Sequence, residues 1–266
     1  MLLATLFGVV MGLVLGLTGA GGGILAVPAL VLGLGWSMTQ AAPVALFAVG
    51  SAAAVGAIDG LRHGLVRYRA ALLIALLGAL FSPVGIYFAH RLPEKILMIL
   101  FSLLMMIVAW RMLRRESPDP GPSDHGSASW GQKNCMLDQQ TGRFSWTAKC
   151  TATLAALGAV TGVVSGLLGV GGGFLIVPAF KQLTDVQMRG IVATSLMVIS
   201  LISAIGVIGA FHAGVSIDAT GGAFIVASIV GMMVGRRLSS HVPAKGLQVG
   251  FASICIVVAG YMLFKA

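Results

Sequence analysis

Apolar residues lie along this chain in long blocks, not in the alternation of a half-buried strand or the stripe of a surface helix. The blocks run over 44–58, 70–89, 96–112, 192–211, 217–234 and 247–264, with most charged residues gathered between them. Most approach the roughly 20 residues that a helix needs to cross a bilayer. In hydrocarbon, the backbone amides of such blocks find partners only within helices. Two more apolar stretches, 2–34 and 154–183, differ because glycines interrupt them. Each glycine costs about 1 kcal/mol relative to alanine inside a helix, so Gly21 to Gly23 and Gly171 to Gly173 predict an unwound chain. Pro28 and Pro178 add a second weak point. A new helix is expected to start between the glycines and the proline.

The two interrupted stretches are copies. Counted without gaps from Gly8 to Leu30 against Gly158 to Phe180, 14 of 23 positions are identical. Sparser matches continue at the same offset of 150 residues, including Leu46/Leu196, Gly56/Gly206, Gly85/Gly235 and Lys95/Lys245. Between the copies, 116–147 is polar and holds Pro118, Pro120, Pro122, Ser123, Gly126, Ser127 and Ser129, which predicts a flexible linker. Trp130 and Trp146 within it are candidates to touch the membrane interface. The chain therefore divides into an N-terminal membrane repeat over 1–115, a linker over 116–147 and a C-terminal membrane repeat over 148–266. An internal repeat in so apolar a chain points to transport, since many transporters place their substrate between paired repeats.

Composition strengthens the membrane reading: 58% of residues are hydrophobic and 9% charged, against roughly 25% charged in soluble domains. The first apolar stretch has no basic region ahead of it and its copy lies in mid-chain, so it reads as structure and not as a signal peptide. The net charge of +9 is spread over short loops between spans, which argues for topology and against nucleic acid as a partner. Cys135, Cys150 and Cys255 are too few and too scattered for a disulfide framework, and no spacing suggests metal.

The positions of arginine and lysine decide how the repeats are oriented. If each half held four simple spans, the basic residues would divide almost evenly between the two sides. If the first segment of each half returns to the side it came from, the parity of every later loop changes. Arg62, Arg67, Arg69, Arg111, Arg114, Arg115, Lys133, Arg143, Lys149, Lys181, Arg189, Arg236, Arg237 and Lys245 then share one side, with only Arg91, Lys95 and Lys265 opposite. The positive-inside rule makes the first side cytoplasmic. The fold expected is an all-α polytopic membrane protein of two inverted-topology repeats, each with a glycine-broken or re-entrant first segment plus three transmembrane helices. Eight to ten membrane segments result, with the linker cytoplasmic and the termini periplasmic. Charge alone does not separate a re-entrant hairpin from two short spans.

A helix that starts at such a break exposes amides without intrahelical partners and the positive end of its dipole, and successive glycine amides can form an anion-binding concavity. Two breaks brought together by a pseudo-twofold axis would make one anion site at mid-membrane. The candidate residues are Gly19, Gly21, Gly22 and Gly23 in the first half and Gly169, Gly171, Gly172 and Gly173 in the second. Packing does not by itself require three glycines in a row followed by proline. By contrast, Gly8, Gly12 and Gly16, with Gly158, Gly162 and Gly166, have the four-residue spacing of a helix-packing face. Neither glycine run is a dinucleotide fingerprint or a phosphate-binding loop, since the further glycine and the Gly-Lys-Ser/Thr are missing.

Among polar residues, Thr194 and Ser195 are the leading candidates to hydrogen-bond an anion, and Thr18, Gln40 and Ser165 lie near the breaks. Each has the alternative of bonding its own helix backbone. Asp59 ends a span three residues before Arg62, as an ion pair with it or as a coupling acid. His212 holds the equivalent loop of the second half and shares the coupling role.

The repeated Gly-Leu-x-Gly-x-Gly-Gly-Gly-x-Leu-x-Val-Pro-Ala, followed by Ala193-Thr194-Ser195-Leu196, resembles the TauE/SafE family of sulfite and sulfonate-type anion exporters. The resemblance covers nearly the whole chain outside the linker. It implies a secondary transporter in the bacterial inner membrane that moves a small anion such as sulfite, sulfoacetate or another organosulfonate, coupled to a proton or cation gradient. It implies no cofactor, and the bilayer and the anion as partners; an oligomer is compatible with it. One departure stands out: Pro43-Val44-Ala45 occupies the place of Ala193-Thr194-Ser195 in the first half, so hydroxyl donors there come from one repeat only.

An enzyme would need clustered acid/base or metal-ligating residues, and the chain has no His-x-x-x-His, acidic pair or Gly-x-Ser-x-Gly. A sensor would carry a signalling domain. An anion channel with paired re-entrant segments, and a transporter of a non-sulfur organic anion, are the alternatives. Topology offers the first test: a reporter fused at Asn134 should read cytoplasmic, and fusions at Met1 and Ala266 periplasmic. A linker and a C-terminus on the same side would overturn the inverted arrangement.

Overall fold

The computed structural model describes residues 1–19, 22–113, 147–170, 172–184, 188–212, 217–238 and 244–265. Among these residues the elements are helices, five in each half. The first half holds α1 (Leu2–Thr18), α2 (Gly23–Leu34), α3 (Met38–Arg62), α4 (Tyr68–Arg91) and α5 (Glu94–Leu113). The second holds α6 (Ala148–Leu168), α7 (Gly173–Leu183), α8 (Met188–His212), α9 (Ala219–Leu238) and α10 (Ala244–Lys265). The linker over 116–147, with Trp130 and Trp146, lies outside the described residues apart from Thr147, which caps α6 by accepting from the Cys150 amide.

Both first segments break where the glycines predict. α1 ends at Gly19 and α6 at Gly169, each in the left-handed region at φ 77° and 70°, where a side chain would be strained. The next helix differs from expectation in one detail: it starts on the third glycine, Gly23 or Gly173, and so includes Pro28 or Pro178. Glycine loses its cost at a helix end, where backbone freedom is useful. In the first half the break is a reversal. Gly22 rests on Leu15, and a methyl group on Gly33 would stand 2.9 Å from Cδ2 of Phe7, so α2 runs back along α1. At 12 residues, α2 is about 18 Å long, well short of the roughly 30 Å hydrocarbon core.

The halves are cross-packed. α1 lies along α9, and α6 along α4, while α3 and α8 form the central pair. A methyl group on Gly8 would stand 2.6 Å from the Phe224 carbonyl oxygen, and one on Gly16 would stand 2.6 Å from that of Met232, so α1 and α9 run parallel. The equivalent contacts recur at an offset of 150 residues: Gly158 meets Ile74, and Gly166 meets Ser82. Gly12 and Gly162 press on Ser228 and Gly78, again equivalent positions. α3 and α8 are antiparallel, with Gly50 against Ser203 and Gly60 against Ala193. Small residues are what such close backbone approach needs in a membrane.

On α4 most large side chains face outward instead, with Ile74 the buried exception. α4 buries Ala70, Ala71, Ala75, Gly78, Ser82 and Gly85 and exposes Leu72, Leu76 and Leu80, at 54%, 69% and 67%. A continuous apolar stripe of this kind demands a lipid cover. Among the described residues, five helices, α3, α4, α6, α8 and α9, are long and apolar enough to cross a membrane. The fold is that of an all-α polytopic membrane protein. One cysteine departs from expectation: Cys150, buried in the first turn of α6, is disulfide-bonded, because a single bond needs only two sulfurs in reach and sequence spacing does not reveal that. Cys255 on α10 is free and buried.

Gly162→Ala should overpack the α4–α6 contact, destabilising the protein by about 1–3 kcal/mol and lowering its melting temperature. Gly209→Ala meets nothing within 4 Å and should leave melting unchanged or raise it; equal effects from both would refute the packing role.

Candidate functional site

The glycine breaks sit against the central pair, and they do so equivalently. Gly19 rests on Val192 of α8, and Gly169 on Ala42 of α3. Gly23 faces Val49 of α3, with a Cβ there 3.1 Å from Cγ1, and Gly173 faces Ile199 of α8. Every partner shifts by 150 residues between halves. The breaks also meet each other, since the Cβ position of Gly23 lies 3.4 Å from the Val170 carbonyl oxygen. Leu15, Ile24 and Val170 around them are buried. The starts of α2 and α7 therefore share one buried location, where two dipoles present their positive ends. The Leu25 and Leu175 amides donate to the Gly22 and Gly172 carbonyls, and a helix start leaves its other first amides without intrahelical partners.

Gly21 and Gly171 lie outside the described residues. Gly22 and Gly172 are buried caps of α2 and α7, but their conformations differ: Gly22 is right-handed at φ −57°, and Gly172 left-handed at φ 63°. A methyl on Gly22 would lie 2.5 Å from Cα of Leu15, and one on Gly172 2.7 Å from the Thr161 carbonyl oxygen. Packing thus requires glycine at these two positions. The reversal brings each glycine onto the helix it has just left.

The hydroxyls fall into two groups. Thr194 and Ser195 are fully buried and committed to the backbone. Thr194 donates to the Gly190 carbonyl at 2.7 Å and accepts the Arg67 amide at 3.1 Å, which ties the α3–α4 turn to α8. Ser195 donates to the Val192 carbonyl at 2.9 Å. Thr18 donates to Val14 at 2.7 Å. Gln40 is exposed in the first turn of α3, away from the buried breaks. Ser165 and Ser203, by contrast, are fully buried and their hydroxyls have no partner among the described residues. Ser203 was not singled out by sequence reasoning. Its only signal was a hydroxyl facing the apolar Ala53 at the repeat offset.

Asp59 pairs across the halves. Its Oδ2 accepts from Arg236 Nε of α9 at 2.7 Å, and His63 Nδ1 stands 3.4 Å from Oδ1. The expected neighbour, Arg62, is displaced in this role because α9 passes beside α3 at that end. His212 is the last residue of α8, and its side chain is outside the described residues. An open cleft of about 350 Å³ lies at the far end of α2, lined by Trp36, Ser37, Glu94 and Lys95 among others. Among the described residues, no three His, Cys, Asp or Glu side chains gather as metal ligands.

Crossing apolar helices around paired backbone breaks define a multi-pass membrane protein with a buried, backbone-lined centre. The family model for Sulfite exporter TauE/SafE matches residues 4–262, and the chain belongs to that family. A "Probable membrane transporter protein" of Xylella fastidiosa (strain 9a5c) is 30% identical over 262 residues, covering 97% of this chain and 93% of the relative. "Probable membrane transporter protein YunE" of Bacillus subtilis (strain 168) is 25% identical over 209 residues, covering 74% and 75%. "Probable membrane transporter protein MamO" of Paramagnetospirillum magneticum (strain ATCC 700264 / AMB-1) is 23% identical, covering 96% of this chain and 44% of the relative. No solved structure matches.

Thr194→Val should strand the Arg67 amide and cost about 1–3 kcal/mol, seen as a lower melting temperature and faster proteolysis at the α3–α4 turn. Thr194→Ser, which keeps the hydroxyl, should restore most of both.

Proposed function

We propose that the protein is a secondary transporter that moves a small, sulfur-containing anion, sulfite or an organosulfonate, across the bacterial inner membrane. The observation that carries this reading is the meeting of two helix starts, α2 and α7, at equivalent breaks in the two halves. Gly19, Gly22, Gly23, Gly169, Gly172 and Gly173 supply the backbone of the site, with Gly21 and Gly171 between them. An anion held there by amides and dipoles needs no buried cation. The family membership supports the substrate class.

The antiparallel α3–α8 pair and the parallel α1–α9 and α4–α6 pairs support repeats inverted relative to each other. In this reading the buried centre opens to one side and then the other as one half rocks against its copy. Asp59, held by Arg236 from the other half, is the candidate for coupling, with His212 as its counterpart. The charge distribution supports a cytoplasmic linker. The Cys150 disulfide favours an oxidising compartment at the start of α6 instead, and the Asn134 fusion decides between them: a periplasmic linker reverses the whole orientation and leaves the halves inverted.

Melting of purified protein with a panel of anions tests the function. A bound anion at 100 times its Kd should raise stability by about 2.7 kcal/mol, and sulfite or an organosulfonate should do so where chloride does not. In proteoliposomes, uptake should saturate and follow an imposed ion gradient. Non-saturating, gradient-independent flux would establish a channel, and stabilisation by no anion would refute the reading.

A further inference from the structure

Backbone is what the two halves share at the proposed site; the side chains around it are not shared. On α6, Thr161 stands against Gly172, and Ser165 follows one turn later on the same face. Thr161 Oγ1 donates to the Leu157 carbonyl at 2.8 Å, the usual recourse of a helical hydroxyl. Ser165 does not follow it. Its hydroxyl is fully buried without a partner, one turn before the Gly169 that ends the helix. Ser203, the second such hydroxyl, lies one turn beyond Ile199, the residue against Gly173, and packs on Gly50. The positions 150 residues earlier are Leu15 and Ala53, both fully buried.

Buried hydroxyls almost always find a partner. Two that do not, both from the second half and both flanking the paired breaks, mark one side of the site as a donor surface. At the equivalent place in the first half, Leu15 stands against Gly22 and offers hydrocarbon. An inorganic oxyanion is hydrated all round and would lose water against Leu15 with nothing in return. An alkyl group has no such water to lose.

We propose that Ser165 and Ser203 donate to the oxyanion head of the substrate while Leu15 and Ala53 receive an apolar substituent, so that the transported class is a short-chain organic oxyanion. This rests on the anion site at the glycine breaks.

The test is titration of purified protein with ethanesulfonate and with sulfate, using wild type, Ser165→Ala, Ser203→Ala and Leu15→Ser. Wild type should prefer ethanesulfonate, each serine-to-alanine change should weaken its binding about tenfold, and Leu15→Ser should narrow the preference. Without ligand, Ser165→Ala should melt no lower than wild type, since no protein hydrogen bond is lost. Unchanged ethanesulfonate affinity in both alanine variants, a wild-type preference for sulfate, or a lower melting temperature for ligand-free Ser165→Ala would overturn the assignment and leave the site at the breaks standing. Binding of neither anion, nor of sulfite, by wild type would remove the site itself.

Discussion

Close approach of helix backbones through glycine is the constraint on which the rest of the molecule depends. Lipid tails are as apolar as leucine, so burying leucine between helices gains little in a bilayer, and contact at van der Waals distance has to supply the attraction. Gly8, Gly12 and Gly16 let α1 touch the α9 backbone, and Gly158, Gly162 and Gly166 do the same for α6 on α4. Each half is thereby fastened to the other. The large side chains left over on α4 point to the surroundings, which makes the protein apolar outside and fine-grained within.

That fastening places the breaks. Once α1 and α6 are held by the opposite halves, their ends at Gly19 and Gly169 abut α8 and α3. The helices that follow then have to start at the centre. Positive potential there is a by-product of where the chain reverses, since it comes from amides that any helix start leaves open. Charged side chains stay at the periphery. The Asp59–Arg236 pair shows the pattern, with Asp59 44% exposed.

Much of this was legible in the sequence, and what was not has physical causes. The 150-residue repeat, the glycine breaks and the packing glycines at four-residue spacing are local patterns, and local patterns survive as helix ends and contact faces. The choice between a re-entrant hairpin and two short spans could not be read, because charge parity is the same for both. Thr194 and Ser195 looked like ligands in sequence, but a neighbour distant in the chain, Arg67, claims the first of them. The hydroxyls of Ser165 and Ser203 are identified by what fails to bond them among the described residues, and only the folded chain carries that information.

The cross-packing of α1 on α9 also sets an order of events during synthesis. α1 enters the membrane first, yet its main partner begins at Ala219, after seven other helices have been made. α6, in contrast, finds α4 already present. The second half can therefore assemble on a finished surface as it emerges, whereas α1 has to wait in the bilayer with its glycine face uncovered. Long-range pairing of this kind slows folding. The interval between insertion of α1 and arrival of α9 is when this chain is open to the wrong partner.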